Sequence, residues 1–187
     1  DVERIRRVRE ALGDKTIIIV DSNTLWNADQ AISVGRRILE FKPYYMEEPI
    51  PPHDIEGHEK ISRTLPIPIA TGEAIFDYRG CAEYIRRRAV SYIQPNVCRI
   101  GGITQWKKVA TLAESANMKV APHFVAELHV QLACTIPNAL IIEHVPWLIQ
   151  HLKEPPTLKG GKIFPRRQPG LGMEFLPEAI QKYRADR

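Results

Sequence analysis

Three short apolar runs each end in an acidic residue, and the acids are evenly spaced. Thr16-Ile17-Ile18-Ile19-Val20 closes on Asp21, Tyr44-Tyr45-Met46 on Glu47, and Ile67-Pro68-Ile69-Ala70-Thr71-Gly72 on Glu73, giving two intervals of 26 residues. Such an interval holds one strand, one helix and two short loops. The pattern therefore confines the chain to repeated βα units, with a carboxylate at the same end of three successive parallel strands. One acid alone reads most economically as a solvated strand-end residue. Three in phase point to oxygen atoms converging on one mouth, a donor set that suits a hard divalent cation such as Mg²⁺.

The rest of the chain extends the repeat. Val2, Ile5, Val8 and Leu12 lie at helical spacing ahead of Gly13. Thr16 to Val20 reads as a strand covered on both faces. Asn27 or Asp29 can cap a helix to about Phe41 with Ala31, Val34, Ile38 and Leu39 on one face. Further strands are expected at 44–46, 67–71, 90–94, 119–122 and 139–142, with helices after Asp54, Asp77, Gly101-Gly102 and Ala126. The fifth strand delivers His123 and the sixth Glu143. Polar residues at every strand's C-terminal end favour an α/β fold of the (β/α)8 TIM-barrel type over an open sheet. Such a barrel usually needs about 250 residues, whereas the chain has 187 and its repeat stops near Leu152. The expected architecture is an incomplete barrel over residues 1–152, covering about strands three to eight, with two further units upstream. The Pro- and Gly-rich tail, residues 153–187, with a short helix from about Pro177, is too irregular for another unit and is expected to pack on an N-terminal capping domain.

Composition excludes other classes. The formal charge is +4 and the isoelectric point about 9.0, but the basic residues fall in scattered runs such as Arg4-Ile5-Arg6-Arg7, Arg86-Arg87-Arg88 and Arg166-Arg167. Those are solvated helix faces rather than a phosphate-binding stripe, so no nucleic-acid partner is expected. Cys81, Cys98 and Cys134 lack metal or redox spacing and are expected to be buried free thiols. No apolar stretch approaches the roughly 18 residues of a membrane span, and the charged start is no signal peptide. A cytoplasmic location follows as the expectation.

Glu47-Glu48-Pro49, Gly72-Glu73, Gly101-Gly102-Ile103-Thr104 and Pro169-Gly170-Leu171-Gly172, in this order and spacing, resemble the enolase superfamily and specifically its mandelate racemase branch. The resemblance covers essentially the whole chain. It implies Mg²⁺ held by Asp21, Glu47 and Glu73 on the third to fifth barrel strands, His123 on the seventh as acid or base, and Glu143 on the eighth against the substrate carboxylate. Glu48 reads as structural, because an adjacent strand residue points the other way. The remaining histidines, His53, His58, His129, His144 and His151, lack strand-end placement and keep ordinary structural readings.

Two positions depart from the resemblance. Many members carry Asp where this chain has Asn96, paired with the histidine so that its charged form is stabilised. Asn96 supplies no charge, and can either accept from the imidazole or, with the amide turned over, donate to it. His123 is therefore expected to be a weaker base, better suited to donate a hydrogen bond or a proton to a leaving hydroxyl. Asn23 stands where some acid-sugar dehydratases carry a histidine. The reaction so implied is Mg²⁺-dependent dehydration of an aldonate or aldarate, by α-proton abstraction, enediolate formation and loss of the β-hydroxyl. A racemase or epimerase of a 2-hydroxy acid, and a non-catalytic barrel that binds an acid sugar, are the alternatives. The expected partners are a small carboxylate substrate and further copies of the chain as a homo-oligomer, without nucleic acid or membrane.

Overall fold

The computed structural model describes residues 1–185, so the last two residues of the expected tail lie outside the described residues. Helix α1 (Val2–Leu12) leads into β1 (Ile19–Asp21), α2 (Ala28–Ile38), β2 (Tyr45–Glu47), α3 (Ile55–Thr64), β3 (Ile69–Thr71), α4 (Tyr78–Arg87), β4 (Tyr92–Ile93), α5 (Ile103–Ser115), β5 (Lys119–Val120) and α6 (Ala126–Ala133). The five strands form one parallel sheet in sequence order, as right-handed βα repetition demands. Asp21 pairs in register with Glu47, and Glu47 with Ala70. The polar strand ends therefore sit level along one rim. The sheet is an open arc, with β1 and β5 as its edges.

Local chemistry sets the helix starts. Asn27 accepts from the backbone of Gln30 at 2.9 Å, while the Gln30 side chain accepts from the Asn27 backbone at 3.0 Å, closing a capping box. Asp54 and Asp77 cap α3 and α4 through the N–H groups of Gly57 and Gly80, each at 2.8 Å. Helix α1 is anchored by buried Arg9, whose guanidinium donates to the carbonyls of Phe41, Gly13, Thr16 and Lys42. Behind the sheet, Ile38, Met46, Ile61, Ile69, Tyr84, Ile93, Trp106 and Val109 are fully buried and form one continuous apolar core.

Several sequence expectations need correction. The first strand is not covered on both faces: Ile17 is 67% and Ile19 36% exposed, because β1 is an edge and apolar side chains there have no neighbouring strand. The sixth strand at 139–142 does not form a ladder. Ala139 makes one isolated parallel bridge to Val120, and Asn138, whose amide donates to the carbonyls of Ala110 and Met118, pins the chain there. Cys81 is buried, but Cys98 and Cys134 are exposed, since both sit where the chain turns at the end of an element. The tail contains a hairpin that was not expected: β6 (Thr157–Lys159) and β7 (Lys162–Phe164) pair antiparallel around Gly160-Gly161, while α7 (Pro177–Tyr183) forms where a short helix was expected from about Pro177. No helix among the described residues is long and apolar enough to cross a membrane.

Candidate active site

The rim of the arc carries Asp21, Glu47 and Glu73 at or just beyond the ends of β1, β2 and β3, Asn96 beyond β4, and His123 beyond β5. Gly72 makes the step from β3 to Glu73 possible. Its φ is +142°, and a Cβ there would lie 2.8 Å from the backbone nitrogen of Gln94, so only glycine lets the two strand ends approach this closely. Glu48 adopts φ of +40° rather than continuing the strand, yet its carboxylate is buried away from the rim. It accepts from the Thr71 hydroxyl and, at 2.9 Å, from the Gly72 N–H, so it braces the chain immediately before Glu73. Burial holds its carboxyl above the usual range.

Burial, reinforced by neighbouring carboxylates, holds two of the acids above the usual carboxylate range. Glu47 is pushed up to about 8, first by burial and then by Asp21, Glu143 and Glu73, against a hydrogen bond from Gln94. Asp21 is raised by burial and by Glu73, although Asn23 donates to both of its oxygens, at 2.8 Å from the backbone and 2.9 Å from the side-chain amide. Glu73 faces two nitrogens: Arg99 Nη1 lies 3.1 Å from one carboxylate oxygen and His123 Nε2 lies 3.1 Å from the other. No group of three or more His, Cys, Asp or Glu side chains among the described residues stands at the spacing of a closed cation cage. The donor set is nonetheless all oxygen, anionic and partly desolvated. Those are the properties a hard divalent cation requires, and like charges in such surroundings are stabilised by one.

His123 is largely buried, with its side chain 14% exposed. Burial lowers its pKa and Arg99 adds to that, while Glu73 and Glu143 pull the other way. Its Nδ1 meets Asn96 Nδ2 at 3.0 Å. Glu143 accepts from the backbone N–H of Phe124 at 2.6 Å and reaches within 4.0 Å of His123 Nε2, so the rim gathers it although its strand is reduced to a bridge.

Two groups that sequence reasoning left as ordinary support this rim from below. His129 on α6 is fully buried; its Nε2 accepts from Val97 N–H at 3.1 Å and its Nδ1 donates to Phe124 O at 2.6 Å. Trp106 on α5 donates from Nε1 to Pro95 O at 3.1 Å, with its ring centroid 5.9 Å from that of His129. The backbone on both sides of Asn96, and immediately after His123, is thus held by buried aromatic rings. The bond from Trp106 to Pro95 has no signal in the sequence.

A parallel sheet with helices behind it and acids, an amide and an imidazole gathered along its C-terminal rim defines a barrel-type protein of the α/β class. Residues 1–179 match the family model described as enolase C-terminal domain-like, and the chain belongs to that family. It is 36% identical to L-talarate/galactarate dehydratase of Salmonella typhimurium across 96% of this chain and 45% of that protein. It is 31% identical to D-gluconate dehydratase of Thermoproteus tenax across 98% and 39%. Among solved structures, L-talarate dehydratase from Polaromonas sp. JS666, complexed with Mg and L-glucarate, superposes with a TM-score of 0.93 at 36% identity, over 97% of this chain and 51% of that one. An enolase from Bradyrhizobium complexed with magnesium and mandelic acid gives 0.93 at 29% identity, over 98% and 52%. The chain spans less than half the length of the curated relatives named here.

Proposed function

We propose that this chain supplies the catalytic rim of a Mg²⁺-dependent acid-sugar dehydratase acting on an aldonate or aldarate. The observation that carries the reading is the set of carboxylates on successive strand ends, with Glu47 buried among them and His123 aimed at Glu73. Asp21, Glu47 and Glu73 would hold the cation. When bound, it would supply positive charge to offset the negative charge that builds on a carboxylate substrate as its α-proton leaves. Glu143 stands at the substrate's carboxyl end. His123 would face the departing β-hydroxyl, where a hydrogen bond from its ring lowers the cost of the leaving oxygen's charge. The substrate loses H⁺ from the α-carbon and OH⁻ from the β-carbon, and the resulting enol becomes a 2-keto acid.

Residues 1–152 form the catalytic portion in this reading, and the tail packs on a neighbouring domain. Exposed Phe175, Ile180 and Tyr183 line one groove with Trp147 and support that assignment, as a contiguous apolar patch favours cover. Calorimetric titration with Mg²⁺ tests the metal assignment: binding is expected in the unaltered protein and lost in Glu73→Gln. Turnover of an acid sugar by the full-length enzyme in D₂O tests the reaction. Release of water to give a 2-keto acid supports dehydration, whereas α-deuterium wash-in without loss of water would replace it with racemisation or epimerisation. Absence of both, with Mg²⁺ still bound, would leave only the binding role.

A further inference from the structure

We propose that Asn96, locked by the backbone of Cys98, holds the neutral ring of His123 in the Nε2–H tautomer, so that His123 meets a bound substrate as a hydrogen-bond donor and not as a base. The substrate-facing part of this inference rests on the reading above; the tautomer itself does not.

The argument starts from a group whose role has no freedom. A backbone N–H can only donate, and that of Cys98 lies 2.8 Å from Asn96 Oδ1. Turning the amide over would set Nδ2 against the same N–H, two donors facing each other. The side chain is thereby fixed with its oxygen in a turn onto residue 98 and its NH₂ directed elsewhere. The NH₂ is directed at His123 Nδ1, 3.0 Å away. An amide nitrogen has no lone pair to offer, so Nδ1 is the acceptor and the single hydrogen of the neutral imidazole resides on Nε2.

The lock extends into the backbone. Pro95 O is held by Trp106 Nε1 at 3.1 Å and Val97 N–H by His129 Nε2 at 3.1 Å. Asn96 O itself accepts from the N–H groups of Arg99 and Ile100, at 3.0 and 2.9 Å. Residue 96 is therefore tied on both sides and at its own carbonyl, and its side chain has no room to exchange partners by a backbone rotation. Asn96 is a positioning residue: it acts through the ring and not on the substrate. An aspartate in its place would keep the turn onto Cys98 with one oxygen and present the second to the ring as an acceptor. That would move the ring hydrogen to Nδ1 and leave Nε2 bare, as a base needs.

The test uses the full-length, ¹⁵N-labelled protein with Mg²⁺ at neutral pH and long-range ¹H–¹⁵N spectra of its histidines, the His123 signals being those that vanish in His123→Gln. The expected result is a bare Nδ1 and a protonated Nε2 in the unaltered protein. His129 supplies an internal reference of opposite sense, Nδ1–H with bare Nε2, dictated by Phe124 O and Val97 N–H. In Asn96→Asp, His123 is expected to gain a hydrogen on Nδ1, and α-proton exchange with D₂O from the His123 face is expected to rise about 100-fold. A wild-type His123 that carries its hydrogen on Nδ1, or on both nitrogens, overturns the inference, whether or not Asn96→Asp folds. A correct tautomer in a protein that fails to bind Mg²⁺ would instead remove the functional reading and leave the Asn96 lock standing.

Discussion

His129 makes the pH dependence of folding calculable at one buried position. Its two partners demand a neutral ring, because Val97 N–H must donate to Nε2 and Phe124 O must accept from Nδ1. Burial pushes the ring's pKa down to about 4, from an ordinary 6.5. Above 6.5 neither the folded nor the unfolded chain protonates this side chain, and its full contribution to stability is present. As the pH falls from 6.5 to 4 the unfolded chain takes up a proton that the folded chain refuses, so stability drains away until the folded ring also protonates. A gap of 2.5 pH units at 1.36 kcal/mol per unit gives about 3 kcal/mol. The comparison protein is His129→Gln, whose amide can donate and accept in place of the two ring nitrogens without titrating. Urea unfolding of both proteins between pH 7 and 4 cancels the titration of every other group in the difference. The unaltered protein is expected to lose about 3 kcal/mol more than the variant over that interval. A difference that stays flat with pH would refute the reasoning, because it would mean that His129 charges as readily when folded as when unfolded.

Two further outcomes follow from geometry. Gly72→Ala combines a strained positive φ with a Cβ 2.8 Å from the Gln94 backbone; it is expected to cost about 2–4 kcal/mol in the same unfolding assay. Thiol labelling of the native protein should modify Cys98 and Cys134 quickly and Cys81 only on unfolding, since Cys81 is buried and pushed up to about 12 by burial and by Asp77; early loss of the Cys81 thiol would contradict the packing of α4.

The repeating units were readable because each rests on local signals: an apolar run, a capping Asp or Asn, and a polar residue at the strand's end. Asp54, Asp77 and Asn27 announce their helices in this way, and the placement of Asp21, Glu47, Glu73, Asn96 and His123 along one rim follows from the βα period. Burial at β1 was not readable, because Ile17 and Ile19 look identical whether or not a strand lies beside them. The hairpin in the tail did carry a signal, the Gly160-Gly161 pair between Lys159 and Lys162, a two-residue turn that the surrounding prolines obscured. Glu48 was expected to point away because adjacent strand residues alternate. It does so for a different reason, a turn of the backbone out of the strand followed by capture by Thr71 and Gly72. The direction of the Asn96 amide had no local signal at all, since it depends on where one N–H two residues later points once the chain has turned.

That turn has a consequence for how such a rim can change over time. The Cys98 N–H is satisfied by an oxygen, and aspartate and asparagine offer it the same one at the same reach. The turn is kept whichever of the two occupies position 96, while the imidazole beside it registers the difference. A single-nucleotide exchange between their codons therefore changes what the ring nitrogen meets while the turn onto residue 98 stays in place, at the cost of burying a charge where the side chain has almost no access to water.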